Sequence, residues 1–166
     1  MAEMIKEGET QLVVFVLASE EFACNIADVR EVLKMIRITP LPRSLDFVEG
    51  VINLRGEVIP VIDLRKRFSL SAVDRTDESR IIIVEVEDRM VGLTVDSVSE
   101  VIRLSNKQIQ EAPNQMAGEQ TNLILGVGKI DDRMLIILNL ERILTSEEQI
   151  ALDDLSRAGR QLTAGQ

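Results

Sequence analysis

The chain has no histidine, no tryptophan and no tyrosine, and its single cysteine is Cys24. The missing histidine removes the usual general base, the commonest transition-metal ligand and the histidine phosphoacceptor. One cysteine excludes an internal disulfide and a thiolate zinc cage. Four phenylalanines are the only aromatics, so there is no platform for stacking bases or sugars. Long apolar runs are missing as well. The longest, residues 12–18, is far too short to cross a bilayer, and the N-terminus lacks the basic start and apolar centre of a signal peptide. There is no G-x-x-x-x-G-K-[ST] phosphate loop, no G-x-G-x-x-G turn and no G-x-S-x-G elbow.

What is present reads as globular. Apolar residues make up 45% and charged residues 28% of 166 positions, enough for one ordinary domain or two small ones. Nineteen basic residues stand against 28 acidic ones, a net charge of −9, which argues against a nucleic-acid partner. No cofactor or metal is expected, and the cytoplasm is the expected compartment. Carboxylate-only catalysis survives this pruning, with Glu31 and either Glu49 or Asp63 as its acids. It would need two converging carboxylates and one raised pKa. The sequence reads instead as that of a binding protein.

Short Val/Ile/Leu runs broken by polar or glycine-containing turns predict four β-hairpins. They cover residues 11–17 with 22–26, 51–54 with 58–62, 80–87 with 90–96, and 123–130 with 134–138. Four hairpins with little helix predict an all-β fold of small barrels or a sandwich. Pro60 interrupts an apolar strand and is expected at an edge or a bulge. One or two helical turns are expected over residues 27–33. Asp63 and Asn139 are candidate N-caps for short helices at 64–68 and 140–144. A capping box at Ser146-Glu147-Glu148-Gln149 begins a predicted C-terminal helical tail over 147–166.

The hairpins are related to one another. Shifted by 69, residues 11–35 fall on 80–104; shifted by 76, residues 50–68 fall on 126–144, with no internal gap in either block. Val29, Glu31 and Val32 meet Val98, Glu100 and Val101, and Gly50 meets Gly126. Two copies of one hairpin–helix–hairpin–helix unit, joined by a polar linker at 69–79, predict two similar barrels.

Four strings then become recognisable. Residues 47–65 read F-V-E-G-V-I-N-L-R-G-E-V-I-P-V-I-D-L-R, with T-P-L-P at 39–42, V-G-L-T-V-D-S-V-S-E-V at 91–101 and L-I-I-L-N-L at 135–140. Together they resemble the CheW family of bacterial chemotaxis coupling proteins, over about residues 10–146. Asn139 stands where many relatives carry Asp, and either residue caps a helix. The resemblance implies two five-stranded SH3-like β-barrels packed side by side, with short helices between strands. We expect the subdomains at about 15–75 and 76–146, with the first strand open to sharing between them. It also implies a non-enzymatic scaffold that bridges the cytoplasmic tip of a chemoreceptor and the regulatory domain of the histidine kinase CheA, at receptor arrays on the inner face of the membrane and without inserting into it. A double-barrel domain from a larger chemotaxis protein is the alternative, and Met1 together with the degenerate tail favours a stand-alone chain.

Val13, Ile26, Val29 and Val32 match positions lining the receptor groove in similar proteins, and Val98 and Val101, the repeat equivalents of Val29 and Val32, are expected to supply the other wall. Their structural alternative is the core. The first strand is apolar on both faces, with Val13, Phe15 and Leu17 on one and Leu12, Val14 and Val16 on the other, so both faces need cover. One covers a barrel interior; the other meets the second barrel or a partner. The residues matching Glu31 and Arg55 form a functional salt bridge in similar proteins, the alternative being two solvated charges. Gly56 is expected at positive φ in a tight hairpin. Gly50 serves either a close backbone approach or the binding surface. Cys24 is expected to be a small strand residue.

Overall fold

In chain order the strands are β1 (Glu9–Leu17), β2 (Glu20–Asn25), β3 (Val29–Lys34), β4 (Val48–Leu54), β5 (Glu57–Asp63), β6 (Arg80–Val86), β7 (Arg89–Val95), β8 (Ser97–Ser105), β9 (Ile109–Glu111), β10 (Ile124–Ile130) and β11 (Arg133–Leu138). One short helix, α1 (Leu64–Arg67), follows β5. The computed structural model describes residues 8–41, 46–71, 73–111 and 123–143; the tail expected at 147–166 lies outside them. All four hairpins form. Their turns place Ala18, Ser19, Arg55, Gly56, Glu87, Asp88 and Asp131 at positive φ, the twist that matches right-handed strands. Asp63 caps α1, accepting from the amides of Arg65 and Lys66. Asn139 holds the same position before the 3-10 turn Leu140–Arg142 but makes no side-chain cap bond.

The strands form two sheets, one in the order β3-β6-β7-β5-β4 and the other in the order β8-β1-β2-β11-β10-β9. Under the offsets 69 and 76 the first order maps onto the second, with β9 added. Detail agrees. The β3/β6 ladder slips between Val29 and Glu31, and the β1/β8 ladder slips opposite the equivalent Val98 and Glu100. The parallel pair Val61↔Gly92 has its counterpart in Ile137↔Ala23.

The sheets divide the chain differently from the expected halves. One sheet uses residues 29–95, and the other takes 9–25 together with 97–138. Each barrel therefore combines the first hairpin of one repeat with the remaining strands of the other. The reason is reach. To lie beside β1 in its own repeat, β3 would have to pass β2, roughly 10 Å over two strand spacings. Only the 3-10 turn Ile26–Asp28 separates β2 from β3, and three such residues advance about 6 Å. Asp96 alone separates β7 from β8. In both places the chain runs straight on into the other sheet.

Among the described residues three large apolar clusters follow, beside a small one of Leu41, Val51 and Val58. Leu12, Val14, Ala23, Leu104, Leu135 and Ile137 fill one barrel, and Ile52, Ile59, Val61, Ile81 and Ile83 fill the other. The largest, with 16 buried residues, lies between the sheets and takes in Val13, Phe15, Leu17, Phe22 and Cys24 from one and Ile62, Ile82, Val84, Val91, Leu93 and Val95 from the other. The second face of β1 thus meets the other barrel. At about 1.5–3 kcal/mol for each fully buried aliphatic or aromatic side chain, this shared layer holds the halves together.

Two local expectations are corrected. Residues 29–33 are strand rather than helix, because β-branched Val29 and Val32 pair with Val84 and Ile82 of β6 and packing outweighs helical propensity. Pro60 sits in β5, an interior strand. It is tolerated because its β4 partner Val51 spends both backbone groups on Thr39, and the ladder to β7 starts only at Val61. Gly50 is held at φ +150° against Thr39, where a Cβ would collide with the Thr39 backbone. Gly56, at φ +87°, faces open space. Gly56→Ala should therefore lower stability by about 1–2 kcal/mol, the left-handed penalty, and Gly50→Ala by clearly more. Urea unfolding of both variants orders the two; equal losses would mean that the Thr39 contact does not matter.

Candidate functional site

The central core reaches the surface along the two edge strands β3 and β8. On β3, Val29 and Val32 lie across Val84 and Ile82; on β8, Val98 and Val101 lie across Phe15 and Val13. Those partners all belong to the central cluster. Residues three apart share a face here because each strand carries one extra residue, Arg30 or Ser99, at its register slip, a bulge that resets the alternation. Ile26, Val29 and Val98 are partly buried against the cluster. Val32 is 42% exposed and Val101 52%. Val13 is 4% exposed, so it is a core residue beneath this surface and not part of its lining. Gly50 is likewise buried, and its contact is the Thr39 backbone.

Glu31 and Arg55 meet. Arg55 donates from Nη1 to Glu31 Oε1 at 3.2 Å and from Nη2 to Oε2 at 2.5 Å, the fork geometry that suits a carboxylate. The β-bulge turns Glu31 to the face opposite Val29 and Val32, across Ile83, while the left-handed turn at Arg55 aims the guanidinium back. Since β3 and β4 are the two edges of the five-stranded sheet, the pair ties one edge to the turn that leaves the other. The Arg55 hydrogen bond, with the Arg55 charge behind it, holds the Glu31 carboxyl below its ordinary value against the opposing effect of burial. The Arg55 side chain stays 70% exposed, so the pair is a surface feature that a partner can also contact. The other sheet has a related tie: Glu100, the counterpart of Glu31, lies 3.4 Å from Arg133, which also binds Glu21 at 2.9 Å.

Two further polar contacts escaped the sequence reading. Arg65 donates from Nε to Asp96 Oδ1 at 2.8 Å and from Nη2 to Oδ2 at 2.5 Å, and the Ala18 amide donates to the same Oδ2 at 2.9 Å. Partial burial would raise the Asp96 carboxyl, but the Arg65 and Ala18 hydrogen bonds and the Arg65 and Arg75 charges outweigh it and hold it below 3.8. Nearby, Arg75 pairs with Glu49, and Thr94 Oγ1 donates to Glu49 at 2.8 Å. Arg65, Arg75, Asp63, Thr94 and Asp96 line a shallow, solvent-open depression. The one sequence signal was that Arg65, Thr94 and Asp96 lie inside the recognisable strings.

The acids proposed for hydrolysis are engaged elsewhere. Glu31 belongs to Arg55 and titrates in the wrong direction for a general acid. Glu49 accepts from Arg75 and Thr94, and Asp63 caps α1. Cys24 is buried, and that burial, with Asp28 nearby, pushes its thiol up to about 12. Among the described residues no cluster of His, Cys, Asp or Glu could hold a metal, and no helix is long and apolar enough to cross a membrane.

Comparison with known proteins gives the same picture over nearly the whole chain. A family model described as the CheW-like domain matches residues 11–148. A chemotaxis protein CheW of Bacillus subtilis is 37% identical over 155 residues, 93% of this chain and 99% of that one. Its namesake in Klebsiella aerogenes is 34% identical over 154 residues, covering 91% of this chain and 93% of the relative. The crystal structure of the scaffolding protein TtCheW from Thermoanaerobacter tengcongensis superposes with a TM-score of 0.77 at 42% identity, covering 84% of this chain and 94% of that one.

Two outcomes follow from the ion pairs. Glu31→Ala and Arg55→Ala, measured singly and together by urea unfolding and by partner binding, should give a double variant less impaired than the sum of the singles; additive losses would mean the residues act independently. Asp96→Ala should lower stability by about 1.5–3 kcal/mol at neutral pH by stranding the Arg65 guanidinium and the Ala18 amide. Because the folded Asp96 pKa lies below its unfolded value near 3.8, its contribution is present above that pH and fades as pH falls through the folded value. The gap between wild type and Asp96→Ala should therefore narrow below about pH 4; a gap independent of pH would remove the charge from the explanation.

Proposed function

The chain belongs to the CheW family of chemotaxis scaffold proteins, and from that premise we propose that it couples a chemoreceptor to the histidine kinase CheA by binding alone, without chemistry of its own. The observation that carries this reading is the apolar seam of Ile26, Val29, Val32, Val98 and Val101, where the central core reaches the surface on two strands. A receptor tip is a helical hairpin, and a helix offers apolar residues at i, i+3, i+4 and i+7 that a seam of small aliphatic side chains accepts. The kinase regulatory domain takes a barrel-end surface away from the seam. These contacts position the protein in the cytoplasm, at receptor arrays on the inner face of the membrane. The net charge of −9 keeps nucleic acid out of the account.

Val32 is the cleanest probe, since it lies on the seam yet is 42% exposed, whereas Val29 packs against the core. Val32→Asp should keep the wild-type circular dichroism and thermal transition. It should weaken binding of a receptor-tip fragment by about 2 kcal/mol, roughly 30-fold, as an unpaired charge set in an apolar interface does. Binding of the kinase regulatory domain should be unchanged. Undiminished receptor binding by a folded Val32→Asp would put the receptor site elsewhere.

A further inference from the structure

We propose that Asp96, acting through Arg65, is a positioning residue that sets the angle between the two barrels and with it the shape of the seam that both barrels contribute to. The central layer between the sheets is apolar, and apolar burial is non-directional; it resists separation of the barrels more strongly than it dictates their orientation. Among the described residues, several of the directional contacts between them gather at Asp96; Arg67 Nε donating to the Ile143 carbonyl at 2.8 Å is a separate single bond. Asp96 is the single link between β7 of one sheet and β8 of the other. Its amide donates to the Val16 carbonyl of β1 at 3.0 Å. Its carboxylate accepts the Ala18 amide from the β1–β2 turn in one sheet and the Arg65 fork from α1, which leaves β5 of the other.

Both side chains are largely withdrawn from solvent, at 14% exposure for Arg65 and 27% for Asp96, and a bidentate guanidinium–carboxylate pair fixes direction as well as distance. Val98 lies two residues beyond Asp96, at the start of the seam on β8. The duplication does not account for the pair: under the offsets 69 and 76 its members correspond to Ala27 and Glu141, which cannot form one. It is an asymmetric feature added to a two-fold framework, at the point where strand exchange joins the barrels.

The relevance of this angle to the receptor rests on the function proposed above; the angle itself is measurable without any partner. Spin labels are placed on Glu57→Cys in one barrel and Asp132→Cys in the other, both exposed positions. Buried Cys24, with its thiol at about 12, stays unlabelled. Pulsed dipolar spectroscopy on the full chain then reads the distance between barrels. Asp96→Asn should broaden or shift that distribution and weaken binding of a receptor-tip fragment by about tenfold, and Arg65→Lys, which keeps the charge but loses the fork, should do the same to a smaller degree. Glu85→Gln, which breaks the Arg30–Glu85 pair lying within one sheet, should leave both readouts at wild type. An unchanged distribution in folded Asp96→Asn, or in Arg65→Lys should Asp96→Asn not fold, overturns the proposal. So does an equal change in Glu85→Gln. Failure of the wild-type protein to bind the receptor fragment, with the distance still responding to Asp96→Asn, would instead overturn the receptor reading and leave the positioning role standing.

Discussion

The exchange of strands between the two repeats governs everything else in this molecule. Because β3 and β8 each cross into the opposite sheet, neither barrel can be assembled from one repeat, and the hairpins β1–β2 and β6–β7 must be apolar on both faces. One face fills a barrel and the other fills the layer between barrels, which is why Leu12 and Val14 belong to a different cluster from Val13 and Phe15. A chain with few aromatics meets this demand with Val, Ile and Leu, whose branched side chains suit pleated surfaces buried on two sides. Such a shared layer makes folding of the halves interdependent and gives a scaffold one well-defined shape.

Polar side chains have a different task. Apolar layers decide that surfaces meet, while hydrogen-bonded ion pairs decide how they meet. Glu31 with Arg55 and Glu100 with Arg133 hold the edge strands β3 and β8 at related places, and Arg65 with Asp96 works between the sheets. The more exposed pairs are screened by salt and contribute little individually; their value lies in geometry. The carboxylates weighed for hydrolysis are themselves engaged: Glu31 by Arg55, Glu49 by Arg75 and Thr94, and Asp63 as the cap of α1.

Much of this was legible beforehand. Hairpin positions, positive φ at Gly56, the Asp63 cap and the two repeat offsets all follow from local chemistry and period-two patterning. The Glu31–Arg55 pair came from resemblance and not from spacing, since the residues lie 24 positions apart on different strands. The helix expected at 27–33 is limited to a 3-10 turn ending at Asp28, because acidic and basic residues interleaved with valine suit an edge strand as well as a helix, and pairing with β6 decided for 29–33. Val13 was assigned to the groove by resemblance; alternation shows only that a second face of β1 needs cover and not what covers it.

The sequence by itself determined the elements, the turns and the duplication, because each depends on neighbours within a few residues or on similarity between segments. Tertiary structure alone decided which repeat each strand joins, which valines are buried, and which arginine meets which acid. Two equivalent hairpins offer β3 equivalent edges, so composition cannot choose between them. The choice falls to the reach of a three-residue turn and a one-residue link, and Arg65 and Asp96, 31 positions apart, come together only because the chain crosses there.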